Sequence, residues 1–245
     1  MFNIIRLREV HSTNNYLREL IASSRELLAE GAVVSADYQT KGRGQIGNIW
    51  ESEDAKNLLF SMLLFPSSIE ANQQFVLSKL VSLAVLGVLK EETDEISIKW
   101  PNDIYWRDRK IAGILIENDL CGTHIQHSII GIGLNVNQDA FTSNAPNPVS
   151  LRQITGKMYD RDELLKRIVK RIYMLYIQLL REDISCLDED YKAALYRSEG
   201  VFDYKAENEN FKASIVDVLP NGRLVLKTEA GKQRSFAFKE VSIVL

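Results

Sequence analysis

The sequence predicts an α+β fold: a mixed β-sheet with flanking helices, followed by a small C-terminal β-barrel. Two observations carry that prediction. Strand-like runs at 32–38, 58–65, 96–100, 111–117 and 128–136 are interrupted by helical patterns at 72–91 and 160–183. Near Gly200 the pattern changes to short alternating runs, with a Pro220-Asn221-Gly222 turn between two of them. The expected division is a main domain at 1–198 and a β domain at 199–245. The second piece, about 45 residues, would be marginal alone and should pack on the first.

Each element has a local reason. Phe2 to Leu7 reads as an opening strand. Ser12-Thr13-Asn14 offers capping oxygens for a helix running to about Glu30, stopped by Gly31. A glycine-rich loop follows at 41–48, and Pro66 closes the 58–65 run. Between 72 and 91, Phe75, Val76, Leu80, Leu83, Ala84 and Val88 recur at helical spacing. Pro101 stops the 96–100 strand, and residues 119–122 suit a hairpin turn between 111–117 and 128–136. Residues 138–150 read as a loop, 187–197 as a second C-terminal helix, and 211–218, 224–228, 235–238 and 241–244 as strands.

Composition limits the function. The 245 residues are 45% hydrophobic and 26% charged, which is ordinary for a globular chain. A net charge of −3 argues against a dedicated nucleic-acid binder, so any phosphate site must be made by local cations. Two cysteines make no disulfide framework and suit a reducing compartment. Residues 1–10 lack an apolar signal core, and the apolar run 75–89, broken by Lys79, is too short to span a bilayer. The expectation is a soluble cytoplasmic protein without a membrane partner.

Residues 99–117 are the most informative stretch. Lys99 and Lys110 bracket a polar turn at Pro101-Asn102-Asp103, and an alternating strand follows. Strand ends are where sites form in sheets that carry helices. Two cations beside an isolated acid suit a phosphorylated carboxylate and its Mg²⁺, with Asp103 as a metal ligand or as a group orienting an amine. Gly113 leaves room for a ligand against the backbone. The plainer reading is a hairpin with solvated lysines. Arg107, Asp108 and Arg109 read as an exposed turn.

Gly42, Gly44 and Gly47 formally match a dinucleotide fingerprint, but that fingerprint needs a helix directly after the glycines. Here a strand-like run follows instead. The other reading is a loop whose backbone amides approach an anion, with Arg43 over it and Lys41 nearby. A hairpin loop with chance basic residues remains open. At 131–137 two glycines sit in a strand, so something approaches its backbone, and Asn135 is a candidate contact.

Other candidates carry less. Cys121, His124 and His127 have a loose metal-like spacing on residues that need not converge. His11 reads as a packing residue before a helix. Arg161, Lys166, Arg167, Lys170 and Arg171 form a solvated face or attract an acidic partner. No hydroxyl or thiol has the His/Asp context of a nucleophilic triad.

With these segments in order, the chain resembles the biotin protein ligases. The segments are Ser12-Thr-Asn14, Gln39-Thr-Lys-Gly-Arg-Gly-Gln45, Lys99-Trp-Pro-Asn-Asp103, Arg109 to Glu117 and Gly131-Ile-Gly-Leu-Asn135. They span 12–135. The resemblance implies a sheet like that of class II aminoacyl-tRNA synthetases and biotin synthetase, plus a C-terminal SH3-like barrel. It also implies a two-step reaction. Biotin and ATP form biotinyl-5′-adenylate and pyrophosphate; a lysine of a biotin carboxyl carrier protein domain then takes the biotin.

By the same resemblance, Ser12, Thr13, Asn14 and Gln39 would meet the ureido ring of biotin, with Gly42, Gly44, Gln45 and Gly113 bordering it. Arg43 and Lys110 would face carboxylate and phosphate, joined by Lys99 and Asn102. Trp50 would pack near the nucleotide, Asn135 would contact the adenine, and Asp103 would orient the carrier lysine or Mg²⁺. Cations of this kind are what in-line attack between two anions requires. Many relatives have Arg where this chain has the neutral Gln45, which puts one contribution to holding the adenylate in doubt. Eleven residues precede Ser12, so the expectation is a monofunctional ligase without an N-terminal DNA-binding domain. A lipoate or octanoate ligase would need an apolar tunnel in place of Ser-Thr-Asn. A non-catalytic regulator would have no need of Lys110 and Asp103.

Overall fold

The computed structural model describes residues 2–24, 28–45, 48–142, 147–181, 186–207 and 209–244. Gly47, the last two residues of the helix expected to 183, and positions 143–146 of the expected loop lie outside them. Seven strands form one mixed sheet: β1 (Ile4–Val10), β2 (Val33–Gln39), β3 (Leu58–Leu64), β4 (Ile96–Lys99), β5 (Asp103–Trp106), β6 (Arg109–Cys121) and β7 (His124–Leu134), in the order β1-β2-β3-β7-β6-β5-β4. Only β1 and β2 pair in parallel; every other neighbour is antiparallel.

Period-2 alternation gives this sheet two different faces. On one, Leu58, Phe60, Met62, Ile98, Ile104, Ile114, Ile130 and Ile132 join a single core with α2 (Phe75–Leu89) and α4 (Arg161–Leu180). On the other, α1 (Thr13–Ser24) covers only the β2, β3 and β7 end, where Leu17 and Ile21 pack on Val34, Leu63 and Ile129. The rest of that face is left for a site.

A second, antiparallel sheet contains β8 (Phe202–Ala206), β9 (Glu209–Val218), β10 (Leu224–Thr228), β11 (Gln233–Phe236) and β12 (Ser242–Ile243), in the order β11-β10-β9-β8-β12. Its Tyr204, Ala213, Leu224 and Phe236 belong to the main core, so the hydrophobic interior continues from one sheet into the other. Gly222, at φ +84°, makes the Pro220-Asn221-Gly222 turn, and its carbonyl accepts from Trp100 Nε1 at 2.9 Å.

Several elements depart from sequence expectation. Helix α1 stops before Glu30, whose carboxylate instead accepts from the Phe65 amide and the Tyr176 hydroxyl. α5 (Leu187–Ala193) is shorter than 187–197, because Ala194 and Tyr196 exchange backbone hydrogen bonds with Ile98 of β4. Strands β5 and β8 and the short helix α3 (Leu151–Thr155) were not anticipated. The apolar stretch through α2 runs from Ala71 to Leu89, long enough by length to cross a bilayer, yet most of it is buried in this fold. Its Lys79 is buried too, paired with Asp188 at 2.9 Å and bonded to the Val218 carbonyl at 3.2 Å.

Candidate active site

The open part of the sheet face, roofed by the second sheet, encloses a cavity of about 440 Å³. Register decides which side chains reach it. Gly113 pairs with Asp103 and Gly133, and Leu115 pairs with Gly131, which in turn faces Ser61. These residues and Glu117, at period-2 spacing on β6, share the site face.

Lys110 would lie on the wrong face without a bulge. Ile104 pairs with Ala112 but Tyr105 pairs with Lys110, so Ile111 is an extra residue in β6. Ile111 turns into the core, fully buried, and Lys110 moves to the side of Lys99 and Asp103. Its Nζ then lies 2.7 Å from Asp103 Oδ1 and 5.6 Å from the Trp50 ring centroid. Lys99 Nζ donates to Tyr105 Oη at 3.1 Å, above that ring. Burial lowers the Lys99 pKa; Asp103 opposes this, while Lys110 and Arg197 add to it. Asn102 is buried and holds the turn to β6 by donating its amide to the Ile114 carbonyl.

The opposite end is uncharged and densely bonded. Gln39 Oε1 accepts from the Thr13 amide at 2.7 Å and its hydroxyl at 3.1 Å. Ser61 Oγ lies 2.7 Å from Thr13 Oγ1 and 2.6 Å from Asn14 Oδ1. Asn14 Nδ2 donates to Glu117 Oε2 at 2.8 Å. Ser12, Thr13 and Asn14 are all buried. A Cβ at Gly131 would collide with Asn14 Oδ1, so only glycine permits this approach.

The glycine-rich loop is a hairpin. Arg43 bridges Ile49, Gly44 N bonds Asn48 O at 3.0 Å, and Trp50 N bonds Gly42 O at 3.0 Å. The Gly44 amide is therefore used within the loop rather than offered to an anion. The hairpin carries Trp50 over Gly113 and Gly133, where any Cβ would strike its ring. Trp50 Nε1 and Gln45 Oε1 are buried without a hydrogen-bond partner among the described residues.

Of the sequence-predicted residues, Ser12, Thr13, Asn14, Gln39, Arg43, Gly44, Gln45, Trp50, Lys99, Asn102, Asp103, Lys110 and Gly113 line the cavity. Gly42 and Asn135 do not. Gly42 packs against the Trp50 carbonyl, and Asn135 is buried with its amide on Val149 O at 3.1 Å. Sequence reasoning missed Ser61 and assigned no role to Glu117. Ser61 had a signal: it is the lone polar side chain in the apolar run Leu58–Leu64.

No group of three His, Cys, Asp or Glu residues suited to a metal occurs among the described residues. Cys121 is exposed, His124 contacts Thr123, and His127 pairs with Asp119, so they do not converge. His11 bonds Thr40 Oγ1 at 2.7 Å. Arg161 pairs with Asp37, and Arg167 and Arg171 tie α4 to Glu91. This donor set does not build a protein-only cage for Mg²⁺, since Asp103 is its single carboxylate beside the cations and already faces Lys110.

The profile of the biotin/lipoate A/B protein ligase family matches residues 7–135, more than half of the chain. The chain belongs to that family. The same fold is seen in the biotin protein ligase from Aquifex aeolicus solved in complex with biotin and ATP. That structure superposes with a TM-score of 0.80 at 30% identity, covering 99% of this chain and 98% of that one. The bifunctional ligase/repressor BirA of Bacillus spizizenii is 30% identical over 85% of this chain and 65% of its own length. The biotin–[acetyl-CoA-carboxylase] ligase of Mycobacterium tuberculosis is 30% identical over 74% of this chain and 66% of its own. The chain thus spans about two thirds of the length of these curated relatives. As in that ligase family, a mixed sheet is joined to a second antiparallel one.

Proposed function

We propose that this chain is a biotin–[acetyl-CoA-carboxylase] ligase. Biotin's carboxylate attacks the α-phosphorus of ATP, a C–O–P bond forms, and pyrophosphate leaves. The amine of a carrier lysine then attacks the adenylate carbonyl, an amide forms, and AMP leaves. The observation that carries this reading is one cavity with two unlike ends: a neutral donor–acceptor end at Ser12, Thr13, Asn14 and Gln39, backed by the buried Ser61, and a cationic end at Lys99 and Lys110.

The roles follow from chemistry. A cyclic urea presents both donors and acceptors, which hydroxyl and amide side chains match. Charge developing between carboxylate and triphosphate needs fixed cations, and Arg43, Lys99 and Lys110 are those groups. Trp50 offers a flat ring for the adenine, resting on Gly113 and Gly133. Asp103, already 2.7 Å from Lys110, is suited to orient the incoming lysine. Mg²⁺ would arrive with the triphosphate, held by phosphate oxygens and water, and would offset the triphosphate's negative charge there. The partner is a biotin carboxyl carrier protein domain. Residues 1–198 would be the catalytic domain and 199–245 an SH3-like domain. Two free, exposed thiols suit a cytoplasmic setting.

The test is ATP- and Mg²⁺-dependent transfer of biotin to a purified carrier domain, read by mass on one lysine. Transfer of octanoate or lipoate without biotin would overturn the reading in favour of an acyl ligase of the same family.

A further inference from the structure

Glu117 sits on β6 just beyond the neutral end of the cavity, two residues past Leu115. Its side chain is 16% exposed, and three side chains converge on it. Asn14 Nδ2 donates to Oε2 at 2.8 Å. Arg43 Nη2 lies 2.9 Å from Oε1 and Nη1 3.4 Å from Oε2, a two-pronged pair. Arg43 Nη1 also reaches Asn15 Oδ1 at 2.7 Å. Arg18 completes the group at 3.4 Å. Burial pushes the Glu117 carboxyl up, but the Asn14 hydrogen bond and the two guanidiniums outweigh it and hold the group below the usual carboxylate value. It is therefore a permanent anion at neutral pH.

Two consequences follow. The Asn14 amide has its nitrogen fixed by Glu117 and its oxygen fixed by Ser61, so only one of its two flips is allowed. Arg43, the guanidinium of the glycine-rich hairpin, is held by an internal carboxylate. A ligand carboxylate or phosphate must compete with Glu117 to take it. We propose that Glu117 is a positioning residue that sets the Asn14 amide and holds Arg43 until a ligand anion draws it away. This rests on the biotin reading above for Asn14, but the hold on Arg43 does not.

The experiment has two readouts on Glu117→Gln, an isosteric change that removes the charge. In the ligand-free protein, trypsin should cut after Arg43 about tenfold faster than in wild type, the effect of losing one charge-assisted hydrogen bond. Cutting after Lys157, an exposed loop residue, should stay constant. Biotin binding, followed by calorimetry, should weaken about tenfold, and the same change in an Asn14→Ala background should add nothing further. Unchanged cutting after Arg43, or full additivity with Asn14→Ala, in a folded variant overturns the proposal. If Glu117→Gln does not fold, Glu117→Asp withdraws the carboxylate by one methylene and should show the same faster cutting. Wild-type protein that binds no biotin would sink the functional reading, while the cutting comparison would still decide the hold on Arg43.

Discussion

The two ends of the cavity are built on opposite principles. At the Ser12–Asn14 end the polar atoms are bonded to one another before any ligand arrives: Gln39 to Thr13, Ser61 to Thr13 and Asn14, Asn14 to Glu117. At the Lys99–Lys110 end two cations share one acid, Asp103, and burial opposes the charge of Lys99. The side chains that Ser12, Thr13, Asn14 and Gln39 present to the cavity are uncharged and held by their neighbours, so they can read shape and hydrogen-bond pattern. The second end carries excess positive charge, so it can answer charge that develops during reaction. Groups that answer charge developing in the transition state act mainly on rate, and groups that bind ground state and transition state alike act mainly on affinity.

Substitutions at the two ends should therefore separate rate from affinity. Lys110→Ala should reduce adenylate formation about 100- to 1,000-fold, as removal of one preorganised charge stabiliser does elsewhere. Biotin affinity should change far less. Pyrophosphate release measured at saturating biotin checks this, and a near-normal rate would remove Lys110 from the reaction.

Gly131→Ala should do the reverse. The added methyl collides with Asn14 Oδ1, and relief of such overpacking costs about 1 to 3 kcal/mol. Biotin affinity by calorimetry should fall accordingly, with the rate at saturation largely kept. Equal losses in both would mean that the two ends are not separable.

Ser61→Ala leaves Asn14 and Thr13 short of one partner, and a lost buried hydrogen bond costs about 1 kcal/mol. A loss of roughly fivefold in biotin affinity follows, detectable in the same titration.

The smallest effect concerns pH. Glu117 is held below its ordinary value in the folded chain, so its ion pairs stabilise the fold above the unfolded value of about 4.3. That contribution is lost as pH falls through the lowered folded value. Thermal midpoints recorded downward from neutral pH should show wild type losing its margin over Glu117→Gln across that window. A margin that does not change with pH would remove Glu117 as a stabilising anion.

Much of this was legible in the sequence because it depends on local chemistry. The strand and helix patterns placed most of the first sheet, and thirteen of the fifteen nominated residues line the cavity. The failures have tertiary causes. Asn135 looked like a ligand contact because it ends a glycine-bearing strand, but the loop at Val149 takes its amide. The strand Asp103–Trp106 went unread between the turns at 101–103 and 107–109, because four residues are too few to show alternation. Residues 194–197 looked helical until pairing with β4 drew 194–196 away. Ser61 needed the knowledge that Thr13 and Asn14 lie across from it.

By itself the sequence determined the composition of the site: the cations, the amides, the hydroxyls and the glycines that let them approach. Only the tertiary structure decided which of them meet. A single extra residue, Ile111, places Lys110 with Lys99 and Asp103 rather than on the core face, because side chains alternate along a strand and one inserted position inverts the rest. The same register puts Glu117 on that face, within reach of Asn14 and Arg43, which lie 103 and 74 residues away in sequence. Separations of that length leave no local trace, since the contacts exist only once the sheet has formed.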